Sequence, residues 1–308
     1  MPAESHPAAV AFRGVEKSFG RQRVLRGLDF APPPGAVVGL LGRNGSGKST
    51  MLKLLVGLLK PDAGDATIDG HAGWDLADAV KADLGYVDQE PGFYPWLPPR
   101  FLFGYLGSFY ERWDGRLLDR LAGEWDVPLD KPFGKLSPGN RQKVALMAAL
   151  APRPGLLLLD EPVSALDPTA RRAFLKELID WTTDGGDGPT VLLSSHLTGD
   201  LERVCSHAAL LVGGRITLQG ETGELKERVK RLRVQMDGRA PAGFAQGLPG
   251  LLLATTEADG GAAVVDGTAA DAAATLRARL GSSVVVEEEA LNLEEVFLEV
   301  TRGEAGRG

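Results

Sequence analysis

The sequence predicts an α/β domain built on a largely parallel sheet, followed by a smaller α+β appendage. Three observations carry this. A short apolar run at residues 36–41 leads through a glycine-rich loop into a helical pattern; a second apolar run, 156–159, ends in two carboxylates; and the net negative charge is carried by the last quarter of the chain.

With 308 residues, 44% hydrophobic and 24% charged, the chain can bury one large core and a small one. Its 40 glycines and 20 prolines are dispersed, which excludes a collagen-like repeat, and no solenoid period is visible. No apolar stretch approaches the roughly 18 residues of a membrane helix. Residues 1–15 carry Glu4 and no basic residue before Arg13, unlike a signal peptide, so a cytosolic chain is expected. Cys205 has no partner for a disulfide, and His6, His71, His196 and His207 lack zinc spacing, so any metal should have oxygen ligands. A net charge of -7 argues against nucleic acid as a partner. From Val234 onward there are 12 acidic and 5 basic residues, leaving 29 of each sign before it. This shift, directly after the basic and helix-like stretch 225–233, marks the expected domain boundary.

The run 36–41 (AVVGLL) reads as a buried strand, and residues 50–59 read as a helix. Between them lies Gly42-Arg43-Asn44-Gly45-Ser46-Gly47-Lys48-Ser49, the strand, loop and helix setting of a phosphate-binding loop. The residue types follow from the chemistry. Backbone N–H groups must approach phosphate oxygens closely, and side chains at the glycine positions would obstruct them. Lys48 supplies a charge to the β- and γ-phosphates, Ser49 a hydroxyl to Mg²⁺, and Thr50 completes the nucleotide-binding group. A turn that merely caps a helix is the bland alternative, and the complete spacing with both flanking elements argues against it.

Leu156-Leu157-Leu158-Leu159-Asp160-Glu161 reads as a parallel strand whose carboxyl end carries two acids, where open α/β sheets bind ligands. Asp160 is a candidate Mg²⁺ residue acting through water, and Glu161 a candidate general base for the attacking water. Alone, such a strand end is as often only the start of a loop. Between the two motifs lies Leu136-Ser137-Pro138-Gly139-Asn140-Arg141-Gln142, followed by a helical stretch, 143–150.

The order of phosphate loop, Gln89, Leu-Ser-x-Gly-Asn, Leu-Asp160-Glu161-Pro162, Ser164-Ala165-Leu166-Asp167 and His196 resembles the ATP-binding cassette of ABC transporters. The resemblance covers about residues 8–220. It implies a cassette at 8–225, with a mixed sheet, a RecA-like core and a helical subdomain at about 90–150, and leaves 234–308 as a C-terminal accessory domain. It implies ATP and Mg²⁺ as ligands, Phe19 stacking on adenine, and Gln89 contacting Mg²⁺ and sensing a transmembrane partner. It places His196 at the γ-phosphate, and Ser137, Gly139, Asn140 and Asp167 at the ATP of a second cassette. A lone histidine after an apolar strand is ordinarily structural, and it is the motif order that makes His196 a site residue. Phe19, a single aromatic near a strand end, also has a core reading. The partners implied are an integral-membrane permease and a second cassette, identical or not, at the cytoplasmic face of the membrane.

The usual signature of such cassettes, Leu-Ser-Gly-Gly-Gln, is altered here by Pro138 and Asn140. Ser137 reads as an N-cap with Pro138 at the first helical position, where proline is tolerated. Pro138 lacks an N–H, so the expected clamp on the second ATP keeps the Ser137 hydroxyl and the Gly139 amide only.

Eleven of the twenty aromatic residues fall between Phe93 and Phe133. The four-residue spacing of Phe101, Tyr105 and Phe109 predicts mostly core positions on one helix face, whereas Phe93, Tyr94 and Trp96 are candidate permease contacts. In the tail, 231–236, 251–256, 262–265 and 283–289 read as strands and 268–280 as a helix. Leu293, Val296, Phe297 and Val300 form the stripe of a final helix expected to pack on the appendage's own sheet. Trp113-Asp114 and residues 292–298 resemble type 2 exporter ATPases, which favours export. An importer ATPase is the runner-up. A soluble ABC ATPase is less compatible, because the DNA-repair type carries long coiled coils between the phosphate loop and the signature, where this chain has no heptad run, and the translation type carries two cassettes.

Overall fold

The computed structural model describes residues 9–183, 188–195, 198–267, 269–281 and 284–302. The chain divides into two compact units after Leu218.

The first unit opens with two antiparallel strands, β1 (Val10–Phe19) and β2 (Gln22–Phe30). Next come β3 (Val37–Leu41), helix α1 (Lys48–Leu55), β4 (Ala63–Ile68), β5 (His71–Ala72), the short α2 (Asp78–Ala82) and β6 (Leu84–Val87). Helices α3 (Pro99–Gly107), α4 (Gly115–Glu124) and α5 (Pro138–Leu150) form the helical subdomain. Then follow β7 (Leu156–Asp160), α6 (Pro168–Thr183), β8 (Thr190–Ser195), α7 (Thr198–Val204), β9 (His207–Val212) and β10 (Arg215–Glu221), the strand within which the chain divides.

Two sheets result. One is antiparallel in the order β2-β1-β4-β5; the other has the order β10-β9-β3-β8-β7-β6, with parallel pairing from β9 through β6. The compositions explain the difference. Strands β3, β7 and β8 are buried at every position, as strands covered on both faces must be, whereas β1 and β2 alternate buried and exposed residues. Leu40 of β3 and Leu158 of β7 share a core with Met51, Leu52, Leu54 and Leu55 of α1 and with Phe12 and Leu28 of the antiparallel sheet. The order β3-β8-β7 sets β8 between the strand that feeds the phosphate loop and the strand that ends at Asp160. Ser194 of β8 is in register with Leu40 on one side and Asp160 on the other.

Helix α1 is shorter than the expected 50–59: residues 56–59 turn, and the Leu59 N–H returns to the Lys53 carbonyl at 3.1 Å. The aromatic expectation is overturned more clearly. Phe101, Tyr105 and Phe109 are 62%, 47% and 65% exposed, so they are not core. The core face of α3 is instead taken by Leu102 and Phe103, leaving a second apolar face outward. There Tyr94, Trp96, Tyr105 and Phe109 form a ladder of rings with centroids 5.1–6.3 Å apart.

The second unit contains α8 (Thr222–Arg228), β11 (Val229–Gln235), β12 (Leu251–Glu257), β13 (Gly260–Asp266), α9 (Ala269–Leu280), β14 (Val285–Ala290) and α10 (Leu293–Arg302). Its antiparallel sheet runs β12-β13-β11-β14, a split βαββαβ order with turns at 242–247 where a first helix would stand. The stretch 225–233 is thus helical only as far as Arg228. Beyond it Leu232 and Val234 alternate inward against Ala263, Val265, Leu276 and Val286, which selects strand. The chain divides ahead of the charge shift at Val234 because β11, an inner strand of the appendage, begins before it. Helix α10 opens with a reciprocal cap: the Glu295 N–H donates to Asn292 Oδ1 at 2.8 Å, and the Asn292 N–H donates to Glu295 Oε2 at 2.9 Å. Leu293, Val296 and Phe297 are buried, and Glu299 pairs with Arg231 of β11 at 2.7 Å.

Candidate functional site

The loop from Gly42 to Gly47 joins the carboxyl end of β3 to the amino end of α1, so backbone N–H groups at the helix start are left without intrahelical partners. Gly47 adopts φ 113, a conformation that L side chains rarely take, and a Cβ there would lie 2.9 Å from Leu25. Lys48 is only 6% exposed. Its Nζ donates to the Gly42 carbonyl at 2.7 Å and the Arg43 carbonyl at 3.3 Å, and stands 3.8 Å from Glu161 Oε1. Burial draws the Lys48 pKa below the ordinary lysine range, and the charges of Glu161 and Asp160 oppose that shift. Ser49 and Thr50 follow on the first turn of α1.

At the end of β7, Asp160 is wholly buried. Its Oδ1 accepts a 2.6 Å hydrogen bond from Ser194 Oγ, while Oδ2 has no hydrogen-bond partner among the described residues. Glu161 follows at φ 47, a left-handed backbone unusual for a glutamate. Its N–H donates to the same Ser194 Oγ at 2.9 Å, and its carbonyl accepts from the Ser164 hydroxyl at 2.8 Å. Gln89 is exposed, two residues beyond the end of β6, the strand paired with β7. Just before it, Asp88 is tied to Lys53 of α1 at 3.1 Å.

Lys48, Asp160 and Glu161 therefore converge at the carboxyl ends of β3 and β7. A buried carboxylate oxygen without a partner among the described residues is a hard oxygen donor of the kind that suits a small cation such as Mg²⁺, and the Ser49 hydroxyl on the first turn of α1 is another, so Asp160 and Ser49 fit that ion by chemistry. Phe19, at the end of β1, is half exposed, with Lys17 Nζ 5.7 Å from its ring centroid; it is not a core residue. His196 lies outside the described residues.

A second group gathers at the start of α5. Ser137 is its N-cap, accepting the Asn140 N–H at 3.3 Å, with Pro138 at the first helical position. A Cβ on Gly139 would lie 2.9 Å from the Ala165 carbonyl, so only glycine lets this helix end pack on the segment that follows Glu161. Asp167 on that segment caps α6. Its Oδ1 accepts the Thr169 and Ala170 N–H groups at 3.0 Å each, and Lys143 of α5 stands 3.8 Å from Oδ2. The Ala170 N–H foremost, with Thr169 and Lys143, holds the Asp167 carboxyl below its ordinary range.

Ser194 is the residue that sequence reasoning missed. The signal was a polar residue near the end of an apolar strand, Thr190–Ser195, which becomes informative only once β8 is known to neighbour β7.

The family described as ABC transporter is matched over residues 25–164. The "Daunorubicin resistance ATP-binding protein DrrA3" of Streptomyces coeruleorubidus is 31% identical over 309 residues, covering 95% of this chain and 96% of that protein. The "Aliphatic sulfonates import ATP-binding protein SsuB 1" of Rhizobium johnstonii is 35% identical over 222 residues, covering 70% of this chain and 78% of that protein. Among solved structures, a dimeric ATP-binding cassette in a post-hydrolysis state, bound to ADP and Pi, has a TM-score of 0.60 and 25% identity, covering 69% of this chain and 98% of the other.

Proposed function

Because the chain belongs to the ATP-binding subunits of ABC transporters, whose cassettes dimerise and hydrolyse ATP, we propose that it drives export of a substrate through a separate membrane permease. The observation that carries the direction is the extent of the likeness. Similarity to the import protein covers 70% of this chain, whereas similarity to the drug-resistance protein covers 95% and so takes in most of the appendage. Resistance is served by moving a compound outward. No helix among the described residues is long and apolar enough to cross a membrane; in this reading a separate permease supplies the path.

In this reading the loop amides and Lys48 receive the phosphates of ATP, with Lys48 exchanging the Gly42 and Arg43 carbonyls for phosphate oxygens. Phe19 stacks on the adenine. Glu161 aligns the attacking water, and His196 neutralises charge at the γ-phosphate. Mg²⁺, when held by Asp160, Ser49 and Gln89, neutralises the charge that develops on the phosphates. Ser137, Gly139, Asn140 and Asp167 reach the ATP of the second cassette. The whole assembly sits at the cytoplasmic face of the membrane.

The test is to tag the chain in its host, carry Glu161→Gln to retain ATP, and identify what copurifies from gently solubilised membranes. A polytopic permease without an accompanying extracytoplasmic solute-binding protein supports export. Such a binding protein in the complex favours import, and soluble partners alone remove transport.

Two further results are expected. Ser137→Arg in every copy should lower turnover by the assembled complex at least about tenfold, because the arginine displaces the cap hydroxyl that faces the second ATP. Unchanged turnover removes the clamp. Trp96→Ala truncates the most exposed ring of the ladder, 70% exposed. It should weaken permease association by about 1–3 kcal/mol, as truncating an aromatic interface anchor does, while ATP affinity of the isolated chain stays within error. The reverse ranking, read by pull-down and nucleotide titration, counts against the ladder as the contact.

A further inference from the structure

We propose that Ser194 is a positioning residue for ATP hydrolysis, one hydroxyl setting both the Asp160 carboxylate and the Glu161 backbone. The inference rests on ATP hydrolysis and is independent of the direction of transport.

Strand β8 is buried along its whole length, so a serine there must find its partners inside the protein. It finds two in adjacent residues of the neighbouring strand end. Oγ donates to Asp160 Oδ1 at 2.6 Å and accepts the Glu161 N–H at 2.9 Å. A hydroxyl has one proton and two lone pairs, so it does both at once.

Each bond has a separate consequence. A carboxylate turns easily about its terminal torsion, which is broad and two-fold, and a short charge-assisted bond to Oδ1 stops that rotation. The other oxygen, Oδ2, is then the one held ready, buried and with no hydrogen-bond partner among the described residues. The bond to the Glu161 N–H acts on a residue whose φ of 47 is unfavourable for a glutamate and must be imposed by its surroundings. Ser194 holds that residue from its amide side, and the Ser164 hydroxyl and N–H hold its carbonyl at 2.8 and 3.2 Å. With both sides pinned, the glutamate side chain is directed to the Lys48 ammonium, 3.8 Å away. A serine that only satisfied the core would have no reason to join these two residues rather than one backbone carbonyl of its own strand neighbours.

The experiment compares Ser194→Ala, Ser194→Cys and Ser194→Thr in the full chain. Three quantities are read: kcat at saturating Mg·ATP, affinity for a fluorescent ATP analogue in EDTA, and the Mg²⁺ concentration that half-maximally strengthens binding of that analogue. The last is measured in the Glu161→Gln background, where hydrolysis does not contribute. Removing a group that orients a metal-site carboxylate costs about 10–100-fold in metal affinity or activity. Ser194→Ala should therefore lower kcat and raise the Mg²⁺ midpoint by about tenfold or more, with magnesium-free binding within about twofold. Ser194→Cys, close in size and a poor donor, should behave the same and serves if the alanine variant folds badly. Ser194→Thr keeps the hydroxyl and should restore both quantities to within about threefold of wild type. Wild-type kcat and Mg²⁺ midpoint in the alanine and cysteine variants overturn the proposal. So does an equal loss in all three variants together with weakened magnesium-free binding, since that is the signature of disturbed packing.

Discussion

Glu161→Gln lowers ATP turnover by about 10²–10⁴-fold, the range expected for losing a general base, or about 3–5 kcal/mol of barrier, without weakening ATP binding. The glutamine is isosteric and keeps the backbone bonds to Ser194 and Ser164, so the left-handed φ of 47 at this position survives the change. What disappears is the negative charge 3.8 Å from Lys48 Nζ and the capacity to accept a proton from water. A lysine relieved of that carboxylate is freer to pair with phosphate, so ATP affinity should hold or rise. Because the proposed reading pairs two cassettes around ATP, a variant that keeps its ATP should accumulate as an ATP-dependent dimer. Size-exclusion chromatography with and without Mg·ATP reads this directly. Turnover within threefold of wild type removes Glu161 from the base role, and a monomer in saturating ATP with turnover abolished leaves it a base but denies the closed pair.

How much of this was legible beforehand depends on the range of the interactions involved. The phosphate loop and the Asp160-Glu161 strand end were readable because each is local: a strand pattern, fixed residue types and a helix or loop within a dozen positions. Ser137 as N-cap and Pro138 at the first helical position were readable for the same reason, and the structure has both. Ser194 was not, since its meaning comes from two strands pairing across 34 residues of sequence. Asp167 was read for its place facing a second cassette, but its carboxylate also caps α6, a role set by the first turn of a helix that the motif does not include. The aromatic positions failed differently. A four-residue spacing identifies one face of a helix without saying which face is inward, and α3 is apolar on both; Leu102 and Phe103 took the core and left Phe101, Tyr105 and Phe109 outside. In the appendage, the alternation of Leu232 and Val234 was read as a strand from 231, but the basic run before it suggested a helix as far as 233; the ladder with β13 and β14 shows the strand already beginning at Val229.

Lys48→Ala should abolish turnover and weaken ATP binding by about 10²-fold or more. The ammonium is nearly buried, and burial lowers its pKa by making the charged form costly there, so its charge is retained by the surrounding oxygens: the Gly42 and Arg43 carbonyls, Glu161 and Asp160. Removing one partner of a buried, hydrogen-bonded charge pair costs about 2–5 kcal/mol. In the ATP complex the loss falls on phosphate oxygens held against two remaining carboxylates, which then repel them without compensation. Without nucleotide the change costs less, because the two carbonyls gain access to the water that fills the vacated stem. The thermal midpoint of the ligand-free chain should therefore shift far less than the ATP affinity. Lys48→Arg is not expected to rescue, since a planar guanidinium cannot place a point charge between two carbonyls inside a closed loop. Isothermal titration with ATP and a melting scan of each variant decide it. An alanine variant that binds ATP within threefold of wild type would show that the loop amides alone carry the phosphates, and Lys48 would then be a structural tie between Gly42 and Glu161.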